Sequence, residues 1–194
     1  MQDKINDMEN MDKNAATNGL FIAGINIALQ IIVYYTMPEL FGKMYFSGIL
    51  MVLNILIYVF FTLDLKKKNG EYWPFKEALK SIFIMSLVAN IISLIFTSLF
   101  YKFIEPDAYD KIIVIITDNL TTMYEKMGMS EDQITKALKD VEKQFKSQYN
   151  PTILDFIKSL GISVLVGFVM SLIFAAIFKK NPPMFKPIEE EPES

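Results

Sequence analysis

The sequence contains no cysteine, no histidine and no arginine, and each absence excludes a class of chemistry. Without cysteine, disulfides and thiol chemistry are excluded. Without histidine, the chain lacks the base of histidine-dependent triads and, with cysteine also missing, the usual ligands of zinc sites. Without arginine, it lacks the guanidinium group that holds phosphates in a bidentate manner. We therefore expect no metal, no cofactor and no catalytic site, and we predict that the protein is not an enzyme.

The chain also lacks a basic face. Its 19 basic residues are outnumbered by 22 acidic residues, and the formal net charge at pH 7 is −3. Because proteins that bind nucleic acid carry clustered positive charge, this composition argues against nucleic acid as a partner.

Charged residues are missing altogether from four stretches, at 14–38, 44–63, 81–101 and 159–178. Each stretch has at least 20 residues, about what an α-helix needs to cross a hydrocarbon core of about 30 Å. The stretches show no strand-like alternation and no polar face of the kind that a helix in a soluble bundle needs. The predicted fold class is an all-α integral membrane protein built on a bundle of four transmembrane helices.

The charge-free stretches and the residues between them divide the chain into eight predicted segments. They are a cytoplasmic N-terminal segment at 1–17, a first span at 18–36, a second span at 44–63, a cytoplasmic loop at 64–78, a third span at 79–104, an extracytoplasmic helical hairpin at 105–150, a fourth span at 152–179 and a disordered cytoplasmic tail at 180–194.

The lysines predict which side of the membrane each loop occupies. Residues 66–68 are all lysine and lie between the second and third spans, and Lys179 and Lys180 follow the fourth span. Loops that are rich in lysine close to the spans stay in the cytoplasm. We therefore predict that both termini are cytoplasmic and that Trp73 marks the cytoplasmic interface.

The loop between the third and fourth spans is long enough to hold two helices. One apolar stripe at helical spacing precedes Gly128, a residue type that often ends a helix. A second stripe follows Ser130 and Gln133, whose spacing is typical of a capping box. The stripes are Ile112, Ile116, Leu120, Met123 and Met127 in the first helix and Ile134, Leu138, Val141 and Phe145 in the second. They are predicted to face each other, the bilayer surface or another protein.

The charge-free stretches carry polar side chains at helical spacing. These are Asn26, Gln30, Asn54, Ser86, Asn90, Ser93 and Thr97. Under one interpretation, the three asparagines converge and line a polar pocket or path through the bundle. Under the other, the side chains form hydrogen bonds between helices, worth about 0.6 to 2 kcal/mol each. The absence of a charged residue favours the second interpretation, because ion-coupled transport usually needs one.

The fourth span carries small residues at strict four-residue spacing, namely Ser163, Gly167, Ser171 and Ala175. Small residues let helix backbones approach closely in lipid. The stripe is predicted to pack against the other spans or against a second copy of the chain. Before the span, Asn150 and Pro151 are predicted to act as the cap and the first helical residue.

The segment "FYKFIEPDAYDK" at 100–111 places carboxylates beside tyrosines, which is compatible with a binding or catalytic site. A structural role, in which these residues end one helix and begin the next, also accounts for them. Pro106 disfavours helical geometry in the residue before it, so the third span should end near Glu105. Asp107 is placed to cap the next helix. Glu105, Pro106, Asp107 and Tyr109 are therefore predicted to form an extracytoplasmic corner.

Three segments carry a resemblance to a known family: "NGEYWPFKEALKSIF" before the third span, "FIEPDAY" at its exit and "GFVMSLIFAAIFKKNPP" at the end of the fourth. With them the chain resembles domain-of-unknown-function family 4199, bacterial four-span inner-membrane proteins. Glu105, Pro106 and Tyr109 fit the exit motif, with glutamate where aspartate is commoner. The resemblance implies a multi-pass protein of the bacterial inner (cytoplasmic) membrane. It implies no activity, because none is established for the family.

Together, these patterns predict a non-enzymatic scaffold or accessory subunit that sits in the lipid bilayer and presents the hairpin to a partner. The partner is another membrane protein or a second copy of the chain. The resemblance implies that this partner is an enzyme of lipid-linked glycans, because the family's genes are expected near those of glycosyltransferases. The alternative is a small transporter or lipid-handling protein that uses the face of Asn26, Asn54 and Asn90.

Overall fold

The computed structural model describes residues 2–149 and 151–182, with the side chains of all of these except residues 2–8 and 147. Within these ranges the chain is helical and contains no strand. The six α-helices are α1 (Gln2–Thr36), α2 (Met44–Asn69), α3 (Phe75–Leu99), α4 (Ala108–Lys126), α5 (Glu131–Tyr149) and α6 (Ile153–Phe178). A short 3-10 helix at Pro38–Leu40 follows α1, and a π-helical turn at Phe100–Ile104 extends α3.

Four segments are long and apolar enough to cross a membrane. They are Glu9–Thr36, Met44–Asn69, Phe75–Ile104 and Ile153–Phe178. The predicted all-α class with four candidate spans is confirmed, and the chain has the character of a membrane protein. The orientation of the spans in the bilayer stays a prediction.

The helices extend beyond the predicted spans. α1 is continuous from Gln2, so nearly all of the N-terminal segment at 1–17 belongs to the same helix as the first span. α2 continues to Asn69 and α3 begins at Phe75, so the connection between them contains only residues 70–74. Lysines extend α2 at little cost, because positive charge is favourable at a helix C-terminus and the long side chains reach water. Of the tail predicted at 180–194, residues 183–194 lie outside the described residues.

α3 is the central helix of the bundle, with α1 on one side and α6 on the other. Two glycines bring the backbones together. A β-carbon on Gly19 would lie 2.5 Å from the Met85 carbonyl oxygen, and one on Gly167 would lie 2.8 Å from Ser86 Oγ. Lipid supplies no hydrophobic driving force for helix association, so close packing of the backbones stabilises the bundle instead.

α2 is attached to the bundle mainly through its second half, where Thr62 and Leu65 are buried. Asn18 on α1 is buried, and its Nδ2 donates to Asp64 Oδ2 at 2.8 Å and to the Phe61 carbonyl oxygen at 3.3 Å. The first half of α2, by contrast, contains no buried residue.

Trp73, the residue predicted to mark the cytoplasmic interface, is fully buried in the core, and its depth in the bilayer stays a prediction. Its backbone pairs with that of Lys180 through two hydrogen bonds, with Trp73 N donating at 2.7 Å and Lys180 N donating at 2.9 Å. These two hydrogen bonds hold the connection between α2 and α3 against the end of α6. The indole is therefore covered by protein, which the amphipathic character of tryptophan alone does not reveal.

α4 and α5 contact each other and are joined by a turn in which Gly128 has a φ of 76°. In the predicted stripes Ile112, Ile116 and Ile134 are buried, whereas Met127 at the end of the first stripe is 67% exposed. At Ser130, one half of the predicted capping box is present, because Ser130 N donates to Gln133 Oε1 at 3.0 Å.

The cap of α6 differs from the prediction. Thr152 is the N-cap, and Pro151 precedes it instead of occupying the first helical position. Thr152 Oγ1 accepts from Asp155 N at 3.2 Å, and the Asp155 carboxylate accepts from Thr152 N at 3.0 Å. This reciprocal box satisfies two backbone donors at once, so it fixes the helix start. Asn150, the predicted cap, lies outside the described residues.

Candidate functional site

Glu105 joins three helices at one end of the bundle, which we call the corner end. Its carboxylate accepts hydrogen bonds from Tyr35 at 2.7 Å, from Tyr34 at 2.9 Å and from Lys111 Nζ at 3.2 Å. The tyrosines come from the end of α1 and the lysine from the start of α4, while Glu105 itself follows α3. A carboxylate with three donors stays ionised and fixes the relative position of all three helices.

The local fold explains why Glu105 can do this. The π-helical turn ends where Glu105 N donates to the Phe100 carbonyl oxygen at 2.9 Å, and Pro106 then directs the chain away. A π-turn is a local widening of the helix that often occurs where a side chain must be re-aimed. The third span ends at the predicted place. The sequence does not reveal the two tyrosine partners of Glu105, because 71 and 70 residues separate Tyr34 and Tyr35 from it.

Aromatic rings fill the space beneath the carboxylate. Tyr34, Phe100, Tyr101 and Tyr149 are all buried. Ring centroids are 5.7 Å apart for Tyr34 and Phe100 and 4.3 Å apart for Tyr101 and Tyr149. Burial raises the pKa of Tyr149, so its hydroxyl stays protonated. This cluster connects the end of α5 to the bundle, and Tyr109 packs at its edge.

A second contact holds α4 against the turn that connects α1 and α2. Asn119 Nδ2 donates to the Phe41 carbonyl oxygen at 2.7 Å and to the Glu39 carbonyl oxygen at 3.2 Å. Beside it, Gly42 has a φ of 78°, and a β-carbon there would lie 3.1 Å from Ile116 Cα. Only glycine suits both the left-handed backbone and the close approach. Two features of the sequence indicate this contact. Gly42 lies in a short turn, and Asn119 is a polar residue within the apolar stripe of α4.

Asp107 occupies the N-cap position of α4, but its side chain makes no capping hydrogen bond. Pro106 and Asp107 are exposed, whereas Glu105 is only 18% exposed at its side chain. Of the acidic residues predicted for the corner, Glu105 therefore makes the connections between helices. The carboxylate that joins the helices lies one residue before the proline, and the position of this corner outside the cytoplasm stays a prediction.

The hydrogen bonds from Tyr35, Tyr34 and Lys111 hold the pKa of Glu105 below its ordinary value. A lowered pKa means that the folded corner favours the ionised form. Its contribution is therefore complete above the ordinary glutamate pKa of about 4.3 and is lost as the pH falls through the lowered value. We expect hydrogen exchange in α4 to be faster at pH 3 than at pH 6, after correction for intrinsic exchange. In a Glu105→Gln variant, the corrected difference should be smaller. Equal pH responses of the two proteins would contradict this assignment.

The polar side chains of the spans form hydrogen bonds with different neighbours. Thr97 Oγ1 donates to Gln30 Oε1 at 2.8 Å between α3 and α1. Asn90 Nδ2 donates to the Ser163 carbonyl oxygen at 3.3 Å between α3 and α6. Asn54 Nδ2 donates to the Leu50 carbonyl oxygen of its own helix at 3.0 Å.

Five polar atoms of the spans are buried without a hydrogen-bond partner among the described residues. They are Asn26 Oδ1, Gln30 Nε2, Thr62 Oγ1, Ser86 Oγ and Ser93 Oγ. The hydrogen bonds that are present support the interpretation that polar side chains connect helices. Among the described residues, no hydrogen bond joins any two of Asn26, Asn54 and Asn90.

The small residues of α6 face α3 of the same chain. Gly167, Ser171 and Ala175 are buried and Ser163 is half-buried. A β-carbon on Gly167 would lie 3.0 Å from Asn90 Nδ2, in addition to its contact with Ser86. The stripe is therefore occupied within the bundle.

Comparison with known proteins identifies the family but no function. No curated protein and no solved structure matches this chain. A family described as protein of unknown function DUF4199 matches residues 17–180, which contain most of the first span, the other three spans and the corner. The chain therefore belongs to the DUF4199 family.

Proposed function

We propose that this protein is a non-enzymatic scaffold or accessory subunit of the bacterial inner membrane, and that its α4–α5 hairpin is presented to a partner outside the cytoplasm. In this arrangement both termini are cytoplasmic, as the lysines at the end of α2 and directly after α6 predict. The corner end then faces outwards.

The observation that carries the proposal is the double attachment of α4. Glu105 binds its start through Lys111, and Asn119 binds its middle to the turn between α1 and α2. Two attachments along one helix fix its direction as well as its position. A hairpin held in a fixed direction loses little conformational entropy when it binds a partner, which is the advantage of pre-organisation.

The outward face of α5 indicates what kind of surface the partner offers. Ile134 is buried and Val141 is half-buried, which places the apolar stripe on the inner side. The opposite side carries four exposed lysines at intervals of three, four and three residues. These are Lys136, Lys139, Lys143 and Lys146. α5 has no net charge, because it also carries four exposed acidic residues, Glu131, Asp132, Asp140 and Glu142. The lysines share one face, however, and acidic groups of a partner that pair with this row would speed association and orient the partners.

The alternative, transport or lipid handling by the face of Asn26, Asn54 and Asn90, has less support. Asn54 bonds within its own helix and Asn90 bonds to α6. We therefore base the proposed function on the hairpin.

A fourfold substitution on α5 tests the role of the lysine row. Replacing Lys136, Lys139, Lys143 and Lys146 with glutamine should reduce recovery of the partner by about tenfold when the full chain is purified from native membranes at low salt. The physical reason is that four exposed charges each contribute modestly, and salt should weaken the wild-type complex in the same way. Co-purifying proteins are quantified by mass spectrometry, and enzymes of lipid-linked glycans are the class to look for first.

The matched control is the fourfold arginine variant, which keeps the charge and should retain the partner. Recovery of the wild-type chain as a monomer, without any co-purifying protein under mild extraction, would overturn the proposed function. Recovery of the same partner by the glutamine variant would show that the lysine row is not the contact surface.

A further inference from the structure

A cleft lies between α2, α3 and α6, near the middle of the spans. Its volume is about 180 Å³. Tyr58 and Phe174 form an aromatic wall, with ring centroids 6.4 Å apart in an edge-to-face arrangement. Ser86 and Asn90 line the cleft from α3, and most of the remaining surface is apolar.

Ser86 is the unusual residue of this cleft. Its side chain is 2% exposed, and its Oγ has no hydrogen-bond partner among the described residues. Serine in a helix can satisfy its hydroxyl by donating to the carbonyl oxygen four residues earlier. Ser171, across the cleft on α6, does so by donating to the Gly167 carbonyl oxygen at 2.7 Å. Ser86 thus has a hydroxyl without a partner, covered by α6 at Gly167, in a region from which water is largely excluded.

The cleft opens toward the bilayer between α2 and α6. Ile55, Val166 and Met170 line it and are 39%, 55% and 38% exposed. α2 is packed mainly by its second half, so the helices do not close over this opening. Because the opening lies at mid-depth, a molecule that enters it comes from the hydrocarbon region and must be soluble there.

The size of the cleft limits what it can hold. An apolar cavity of about 150 Å³ is enough for benzene, and this cleft is slightly larger. It fits one six-membered ring or a short piece of an apolar chain. The unpartnered hydroxyl needs an acceptor, and a carbonyl oxygen is the neutral acceptor that a membrane-soluble molecule can bring to this depth.

We propose that the cleft binds a neutral membrane-soluble molecule in which a carbonyl oxygen is attached to a single ring or a short apolar chain, and that Ser86 Oγ donates to this oxygen. The ring and the chain represent two sources, a quinone or a carbonyl-bearing lipid tail. The proposal does not depend on the hairpin or on the role proposed for it.

Two pairs of probes test the proposal on the full chain in detergent micelles. Duroquinone is compared with durene, the same ring without carbonyl groups, and 2-undecanone is compared with undecane. Titration calorimetry measures the Kd of each probe, after subtraction of the heat of adding the probe to empty micelles. At least one carbonyl probe should bind about tenfold more tightly than its hydrocarbon, as expected for one hydrogen bond in a dry site. A preference for duroquinone identifies a ring as the natural ligand, and a preference for 2-undecanone identifies a chain.

Two variants assign the effect to the cleft. Ser86→Ala removes a hydroxyl that has no partner, so the chain should still fold and the preference for the carbonyl probe should disappear. Ile55→Trp fills the opening and should abolish binding of both members of the pair. Ile49→Trp is the matched control, because Ile49 is an exposed residue of α2 that does not line the cleft.

Three results would overturn the proposal. One is equal binding of each carbonyl probe and its hydrocarbon, which includes no binding of any probe. Another is a preference that persists in Ser86→Ala. The last is binding that survives Ile55→Trp, because the probe would then occupy another surface.

Discussion

Replacing Gly19 with alanine should separate α1 from α3 and lower the free energy of unfolding by about 3 kcal/mol, the upper end of the usual cost of overpacking. The new β-carbon would lie 2.5 Å from the Met85 carbonyl oxygen and 2.9 Å from Val88 Cβ. A backbone carbonyl cannot rotate away as a side chain does, so the helices themselves have to move. Thermal unfolding in detergent, followed by circular dichroism, measures the loss.

Gly24 on the same helix supplies the matched control. No atom lies within 4 Å of a β-carbon at this position. Gly24→Ala should therefore leave stability unchanged or raise it by up to about 1 kcal/mol, because alanine favours the helix. Similar losses in the two variants would show that the close contact at Gly19 is not the cause.

Replacing Glu105 with alanine should release the hairpin from the spans while leaving the spans folded. Tyr34 is buried, and its hydroxyl would lose its acceptor together with that of Tyr35. The absence of native cysteine permits spin labels on two introduced cysteines, one at Met44 on α2 and one at Glu131 on α5. Pulsed electron paramagnetic resonance should show one narrow distance distribution in the parent chain and a broad one in the variant.

Asp107→Ala is the control for this experiment. Asp107 is acidic and exposed, lies two residues away, and makes no capping bond with its side chain. The label distance should stay narrow in this variant. A narrow distribution in Glu105→Ala would mean that Asn119 and the aromatic cluster hold the hairpin without the carboxylate.

The spans could be predicted because lipid leaves few choices. A helix in the bilayer must satisfy its own backbone and exclude charge over about 20 residues, so length and composition reveal it. The boundaries were less predictable, since lysines such as Lys66 can continue a helix beyond the hydrocarbon. The end of α3 was predictable because Pro106 acts on its immediate neighbour.

The partners of the polar residues could not be predicted, because they depend on how the helices cross. Helical spacing places Asn90 and Thr97 on one stripe of α3. In the bundle this stripe meets two neighbours, so Asn90 contacts α6 and Thr97 contacts α1. In the same way, sequence indicated that Glu105 lies at a corner and could not indicate that Tyr34 and Tyr35 lie beside it.

The central position of α3 has a consequence for the order in which the chain is assembled. Synthesis delivers α1 and α2 to the membrane before α3, yet α1 makes its largest contact with α3. Until α3 arrives, Gln30 has no Thr97 to contact, whereas Asn18 already has Asp64 on α2. The early pair α1–α2 is therefore joined by its turn at one end and by the hydrogen bond between Asn18 and Asp64 at the other, before α3 completes the bundle. The helix that arrives third becomes the centre of the bundle. Its arrival also brings Glu105 to Tyr34 and Tyr35, whose hydroxyls lack this acceptor until then.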